Sequence, residues 1–422
     1  PTQFGVGDRA IFDSTGAASQ TISILGIVLS KGITVSGSTN YTFSGSGNFV
    51  GDKMTLVKDG TGKLTISTNN DRLSNSITTV NQGTLLLTSV NALGKGGSLT
   101  VNTGATVQTE GTALGILSGQ TIDINGGGAV AFNATSDMTL SGGITGAGDI
   151  RKSGGSNLFI TGTNNNFAGT LRLQGGITVV GAANTSSGGA DATLGANANI
   201  IVESGASFRT HLGGSDKTFN FANAYIKSGG SFGNIDGNVN ETGNLHFNVE
   251  SIGTDGVITY NAIGTSTLYQ HWAKKVGLNG IISGQGTVNV IAEHGDGGSD
   301  HRFILRNAGN TFNGVYNLAS TNKSTIELAI SDTATGGVAK TASFTLGHAN
   351  ATLAISASAV TIAGLAGTAG KVQSEGAGEH TLTINQALDT EFSGIIGEAT
   401  GGGTMGIVKD GVGSLTLSGA NT

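Results

Sequence analysis

The densest collection of reactive side chains in this 422-residue chain lies in EHGDGGSDHRF, residues 293–303. Glu293, His294, Asp296, Asp300 and His301 are carboxylates and imidazoles in close succession, with Arg302 beside them. Such a set suits a metal ion or an acid/base pair. The plainer reading is a solvated turn, because the segment occupies the slot that KDGTG and KDGVG hold elsewhere in the chain. GGSD at 297–300 is similar to half of a calcium-binding nonapeptide, but no second copy adjoins it to complete a coordination shell. A second candidate is YQHWAKKV, which carries the single Trp. Tyr269, His271, Trp272, Lys274 and Lys275 join aromatic surface to cationic groups, a platform for a sugar or another ligand. The plainer alternative is a short loop, or a helical turn over 269–276, whose Trp plugs a gap against the body of the protein.

Both segments sit within a repeated script. KDGTGKLTIS at 58–67 returns as KDGVGSLTLS at 409–418, and neither copy holds a nucleophile–base pair. Lys58, Asp59, Gly60 and Gly62 in the first copy match Lys409, Asp410, Gly411 and Gly413 in the last. Residues 141–162 follow the same order with Lys152 and Gly154, and residues 280–305 follow it again. We read these positions as turn residues, with a surface Lys–Asp ion pair as an accessory of small value. The shared order is a Gly-rich lead-in, a strand, a charged Gly turn, a second strand and an Asn-rich turn. Four imperfect repeats result, starting near 45, 141, 280 and 394, after first turns over 1–44. The fourth copy breaks off at Asn421-Thr422, which implies that the polypeptide continues.

Between the turns run short stretches rich in Val, Ile, Thr and Leu, such as Lys63–Ser67, Thr121–Ile124, Thr170–Leu173 and Thr287–Ala292, each bounded by Gly, Asn, Asp or Ser. Gly numbers 73 and is spread as punctuation, while the one Pro, which would remove a ladder donor, is residue 1. Strands repeating with such turns predict a right-handed parallel β-helix, all-β and continuous from 45 to 422. At about 20–25 residues per coil the chain makes on the order of 17–21 coils. Inward positions call for Val, Ile and Leu, with bulky aromatics fitting less often, and Asn stacks on Asn in successive coils.

Composition narrows the function. A net charge of −6 without a basic face argues against nucleic acid. The absence of Cys removes disulfides, thiolate nucleophiles and Cys-ligated metal, and suits a chain exported unfolded through an oxidising compartment. The 27 acidic residues are thinly scattered, whereas β-helix enzymes that cleave acidic polysaccharides need carboxylates or cation ligands gathered from adjacent coils.

The script KDGxGxLTxSGxNT, together with LVKDGTGKLTIS at 56–67, GTLLL at 83–87 and NALG at 91–94, resembles the passenger-associated repeat of bacterial autotransporters, the type V secretion family. GVGDRAIFDSTG at 5–16 and ITVSGSTNYTFSGSG at 33–47 resemble the first turns of such passengers. The likeness is strong over 5–107 and 394–422 and weaker over 110–270. TNNDRLSN at 68–75 departs from the usual Asn-Thr-aromatic turn. The resemblance implies a parallel β-helix displayed at a Gram-negative cell surface, whose membrane anchor lies outside this sequence. The expected work is structural or adhesive rather than enzymatic, with no cofactor. Expected partners are a host or neighbouring cell surface, glycans, or copies of the chain joined laterally or end to end. A polysaccharide-active enzyme and a glycan-binding module are the alternatives.

Overall fold

The computed structural model describes residues 5–15, 19–71, 73–111, 117, 119–163, 165–182, 192–212, 216–271, 275–293, 301–333, 336–398 and 402–421. Every regular element among them is a β-strand, and the chain forms a β-solenoid of about 16 turns. It divides into two compact units: Pro1–Thr185 with Ala190–Ile200, and Ser186–Gly189 with Ile201–Thr422.

In the first unit each coil lays one strand on each of two long parallel sheets, and the later coils add a third. The first face stacks Arg9–Phe12, Gly32–Val35, Thr55–Lys58, Leu73–Val80, Lys95–Val101, Thr121–Ile124, Ile144–Gly146 and Asn166–Phe167. The second stacks Ser19–Ser23, Asn40–Ser44, Lys63–Ile66, Gly83–Leu87, Ala105–Gly111, Ala129–Ala134, Asp149–Lys152 and Thr170–Leu173. The third comprises Met138–Leu140, Leu158–Ile160 and Gly176–Val180. Because side chains alternate along a strand, matched registers line up inward columns. One column runs Val35, Lys58, Val80, Val101, Ile124; another runs Ile66, Leu87, Thr109, Phe132, Lys152, Leu173. Phe12 packs on Tyr41 and Phe43, with ring centroids 5.4 and 5.1 Å away; Phe4 lies outside the described residues.

The second unit repeats the plan, with some coils longer. One face stacks Ala206–His211, Ser231–Asp236, Thr265–Gln270, the second half of Ile282–Ala292, Asn313–Leu318, Ser343–Leu346 and Gly364–Ala366. Another runs from Lys217–Phe219 through Val239–Glu241, Lys275–Leu278, Arg302–Leu305, Ser324–Leu328, Ala351–Ile355 and Lys371–Ser374 to Ile395–Gly397. The pairing of Asn244–Ile252 with Ile258–Tyr260 is antiparallel, a hairpin thrown out of the coil; every other described pairing is parallel.

Three expectations need correction. Some coil-to-coil bonds of the second unit join residues 28 or 37 apart, against 21 or 23 along the Asn ladder of the first, so coils longer than 20–25 residues bring the total to about 16 turns. Of the span 269–276, offered as a helical turn, Tyr269–Gln270 and Lys275–Val276 lie in the strands Thr265–Gln270 and Lys275–Leu278, held by parallel ladders on both sides, and 272–274 lie outside the described residues. Aromatic rings do not avoid the interior. Phe208 stacks on Phe232 at 5.4 Å and Tyr316 on Phe344 at 5.3 Å, because a ring in one coil finds its best neighbour in a ring directly above it.

Candidate functional site

The repeated turns are built from inside. Lys58 ends a strand in an inward position and is 0% exposed; Lys152 is 1% exposed. Each aliphatic stem continues a column of Val, Leu and Phe, and each ammonium reaches the corner. Lys58 Nζ donates to the carbonyls of Asp59 at 3.1 Å, Gly60 at 2.7 Å and, one coil on, Gln82 at 3.1 Å. Lys152 Nζ donates to Ser153 at 3.0 Å, Gly154 at 2.9 Å and, one coil on, Gly175 at 3.2 Å. Three carbonyls match the three N–H bonds of an ammonium. Burial lowers both lysine pKa values. The exposed Lys409 bonds the carbonyls of Asp410 and Gly411, the latter at 3.2 Å. The lysines therefore do not form the surface ion pair anticipated for them. The aspartates cap the turn instead: Asp59 Oδ1 accepts from Gly60 N at 2.9 Å and Asp410 Oδ1 from Gly411 N at 2.8 Å.

The Asn-rich turn holds a second device. Asn70 Oδ1 accepts from Phe49 N in the coil before at 2.9 Å, and its Nδ2 donates to Ala92 O in the coil after at 2.6 Å. Asn165 does the same between Ile144 N and Thr193 O, and Asn310 between Ile282 N and Val338 O. Asn421 accepts from Ile396 N at 2.9 Å. One Asn in each repeat thus takes a backbone N–H from that repeat's Gly-rich lead-in. Outside these corners Asn81, Asn102 and Asn125 form an amide ladder at 2.7 and 2.5 Å.

Of the two candidate clusters, Tyr269 of one and Glu293 of the other come near each other on one outward face of the second unit. Tyr269 pairs in register with Ile291, two residues before Glu293. In the preceding coils Gly233 pairs with both Arg209 and Tyr269. Gly233 lets Arg209 cross to Tyr269, where the guanidinium carbon sits 3.7 Å from the ring centroid. A Cβ at Gly233 would fall 1.9 Å from the Tyr269 carbonyl oxygen. Arg209 Nη1 also donates to Phe208 O and Ser231 Oγ. Burial brings the pKa of Arg209 down to about 9, against the opposing pull of Glu293. Beside this pair an open groove of about 460 Å³ is lined by Asn289, Ile291, Glu293, Asn317, Ala319 and residues 320–322. Asn317 Nδ2 donates to Asn289 Oδ1 at 2.9 Å, and Asn322 ties the far wall to the carbonyls of Ala292 and Glu293.

Trp272, Lys274, His294, Asp296 and Asp300, with all of 297–300, lie outside the described residues. Lys275 is exposed at the start of its strand, His271 is half-buried and His301 is buried. Arg302 turns to Glu327 at 2.6 Å and Glu375 at 3.2 Å rather than to Glu293. Among the described residues no three His, Asp or Glu side chains gather as a metal set.

Two clusters escaped the sequence. His246 Nδ1 lies 2.6 Å from Ser283 Oγ and 3.2 Å from Tyr260 Oη, with Nε2 3.3 Å from Asn223 Oδ1, and the ring stacks on Tyr225 at 4.9 Å. Burial lowers the His246 pKa to about 4, so the imidazole is neutral at pH 7. The pairing resembles a Ser–His couple, but Ser283 is buried and its oxygen is engaged by both His246 and Tyr260, at 2.8 Å from the latter. The cluster pins the hairpin strand Ile258–Tyr260 onto the sheet. Glu241, 1% exposed, stands between Phe219 and Leu278 in an apolar column, with Thr210 Oγ1 3.1 Å from Oε1. Burial raises its pKa to about 8. No local motif marks either cluster, since His246 and Ser283 are 37 residues apart and only the register unites them.

Comparison with protein families, curated proteins and solved structures finds no match for this chain.

Proposed function

We propose that the chain is a structural and adhesive scaffold at a Gram-negative cell surface, without enzymatic chemistry of its own, presenting an outward face to another surface or to copies of itself. The observation that carries the reading is where the interior polar groups are spent. Lys58, Lys152, Asn70, Asn165 and Asn310 all bond main-chain groups of neighbouring coils, so the repeats serve rigidity. The likeness of the repeat script to autotransporter passengers supports secretion and display. The outer groove supports glycan binding as a second reading, compatible with adhesion.

The test is display of the chain on a bacterium stripped of its own adhesins. Attachment to epithelial cells or mutual aggregation should rise several-fold over a strain carrying the empty display system. Equal attachment and aggregation in both strains, with the chain shown on the surface by antibody, would sink the proposal. Release of reducing ends from polysaccharide would redirect it to an enzyme.

A further inference from the structure

We propose that the open groove on the outward face of the second unit binds a neutral glycan. This rests on reading the molecule as a binding scaffold and names the chemistry of what it holds. The groove, about 460 Å³, falls within the roughly 300–1,000 Å³ typical of small-molecule sites, a fit for a mono- or disaccharide. Its shape follows from the outward residues. Two positions beyond the paired Asn289 and Asn317 stand Ile291 in one coil and Ala319 in the next, so the surface steps down from a branched side chain to a methyl. Beyond Ala319 lies Gly347, where even a Cβ would come within 3.3 Å of the Ala319 Cβ.

The lining selects the ligand. The Asn317–Asn289 bond uses one donor and one acceptor, leaving Asn289 Nδ2, the second Asn317 N–H and free lone pairs at the groove. Donors and acceptors side by side suit vicinal hydroxyls, each of which both gives and accepts a hydrogen bond. The exposed Glu293 carboxylate accepts from further hydroxyls, and Ile291, 37% exposed, offers an apolar ledge for the C–H face of a pyranose. An anionic ligand would meet Glu293 and a chain of net charge −6, while Arg209 is committed beneath Tyr269. Among the described lining residues a divalent cation would find a single carboxylate. An extended peptide would find no free edge, because Asn313–Leu318 is paired on both sides.

The experiment is saturation-transfer NMR on the intact chain with maltose, cellobiose, lactose and chitobiose, and with digalacturonic acid as the anionic comparator. At least one neutral disaccharide should bind with a millimolar or tighter dissociation constant, more tightly than the acidic one. Asn317→Ala, which removes the amide, and Ala319→Phe, which fills the groove, should each weaken that binding by roughly tenfold. No saturation transfer to any neutral sugar, preference for the acidic one, or unchanged binding in both variants would overturn the assignment. The wild-type panel decides even where a variant folds poorly. Attachment without saccharide binding removes only this inference; saccharide binding without attachment or aggregation removes only the adhesive role.

Discussion

At the scale of residues, the buried lysine is the least expected part of the molecule. An ammonium inside an aliphatic column is costly unless its protons are met, and at Lys58 three carbonyls meet them. Lys58→Met keeps the stem but strips those carbonyls of their donor. We expect a loss of about 2 kcal/mol in urea unfolding of this unit, against almost none for Lys409→Met, whose side chain is exposed. Asn70→Ala should cost a similar amount, because both ends of its amide bond to main chain. A loss below a few tenths of a kcal/mol for Lys58→Met would contradict a stabilising role for these three bonds. The sequence displayed KDG and the Asn-rich turn as recurring letters, but not which way Lys58 points. That depends on strand phase: Lys58 falls in step with Val35 and Val80, and is therefore inside.

At the scale of elements, the strands were legible and their excursions were not. Thr121–Ile124 and Thr170–Leu173 begin and end where β-branched residues give way to Asn, Gly or Gln, and their bounds match the sequence reading. In YQHWAKKV the aromatic and cationic residues without Gly allow a helix, while the neighbouring coils impose a ladder on Tyr269–Gln270 and on Lys275–Val276. The hairpin ending at Tyr260 carries no local sequence mark, since its pairing rests on Tyr260 meeting His246 and Ser283. The turn glycines carry the next prediction. Gly60 has φ +75°, and a Cβ there would lie 2.4 Å from Gly37 N and O; at Gly62 it would lie 2.3 Å from Thr39 O. Corners stack backbone on backbone, with no room for a methyl. Gly60→Ala and Gly62→Ala should each destabilise by about 2 kcal/mol or more, whereas Gly155→Ala, with open space around it, should be nearly neutral in thermal unfolding. Equal melting temperatures for the three variants would refute close corner stacking.

At the scale of the whole molecule, the parallel ladder followed from repeats and composition, because short apolar runs without sustained helical periodicity leave few other ways to bury them. The outer groove and the site at His246 did not, as both depend on coil lengths that vary. Stability should also depend on pH through Glu241. Its carboxyl titrates near 8 in the folded chain and near 4.5 as a free side chain, so the folded state holds a proton that the unfolded state has released. Stability is therefore full below about pH 4.5, falls as pH rises to about 8, and is level above, by up to about 5 kcal/mol at the limit. Glu241→Gln should flatten that slope and raise the urea midpoint at pH 8; an unchanged profile would place the proton elsewhere. The buried lysine has one more implication. Lys58 closes a strand of the first face and Lys152 a strand of the second, with the same joint at both bends. A joint indifferent to which bend it occupies lets recombination splice segments out of phase, so descendants of this gene could lengthen or shorten without inventing a new corner.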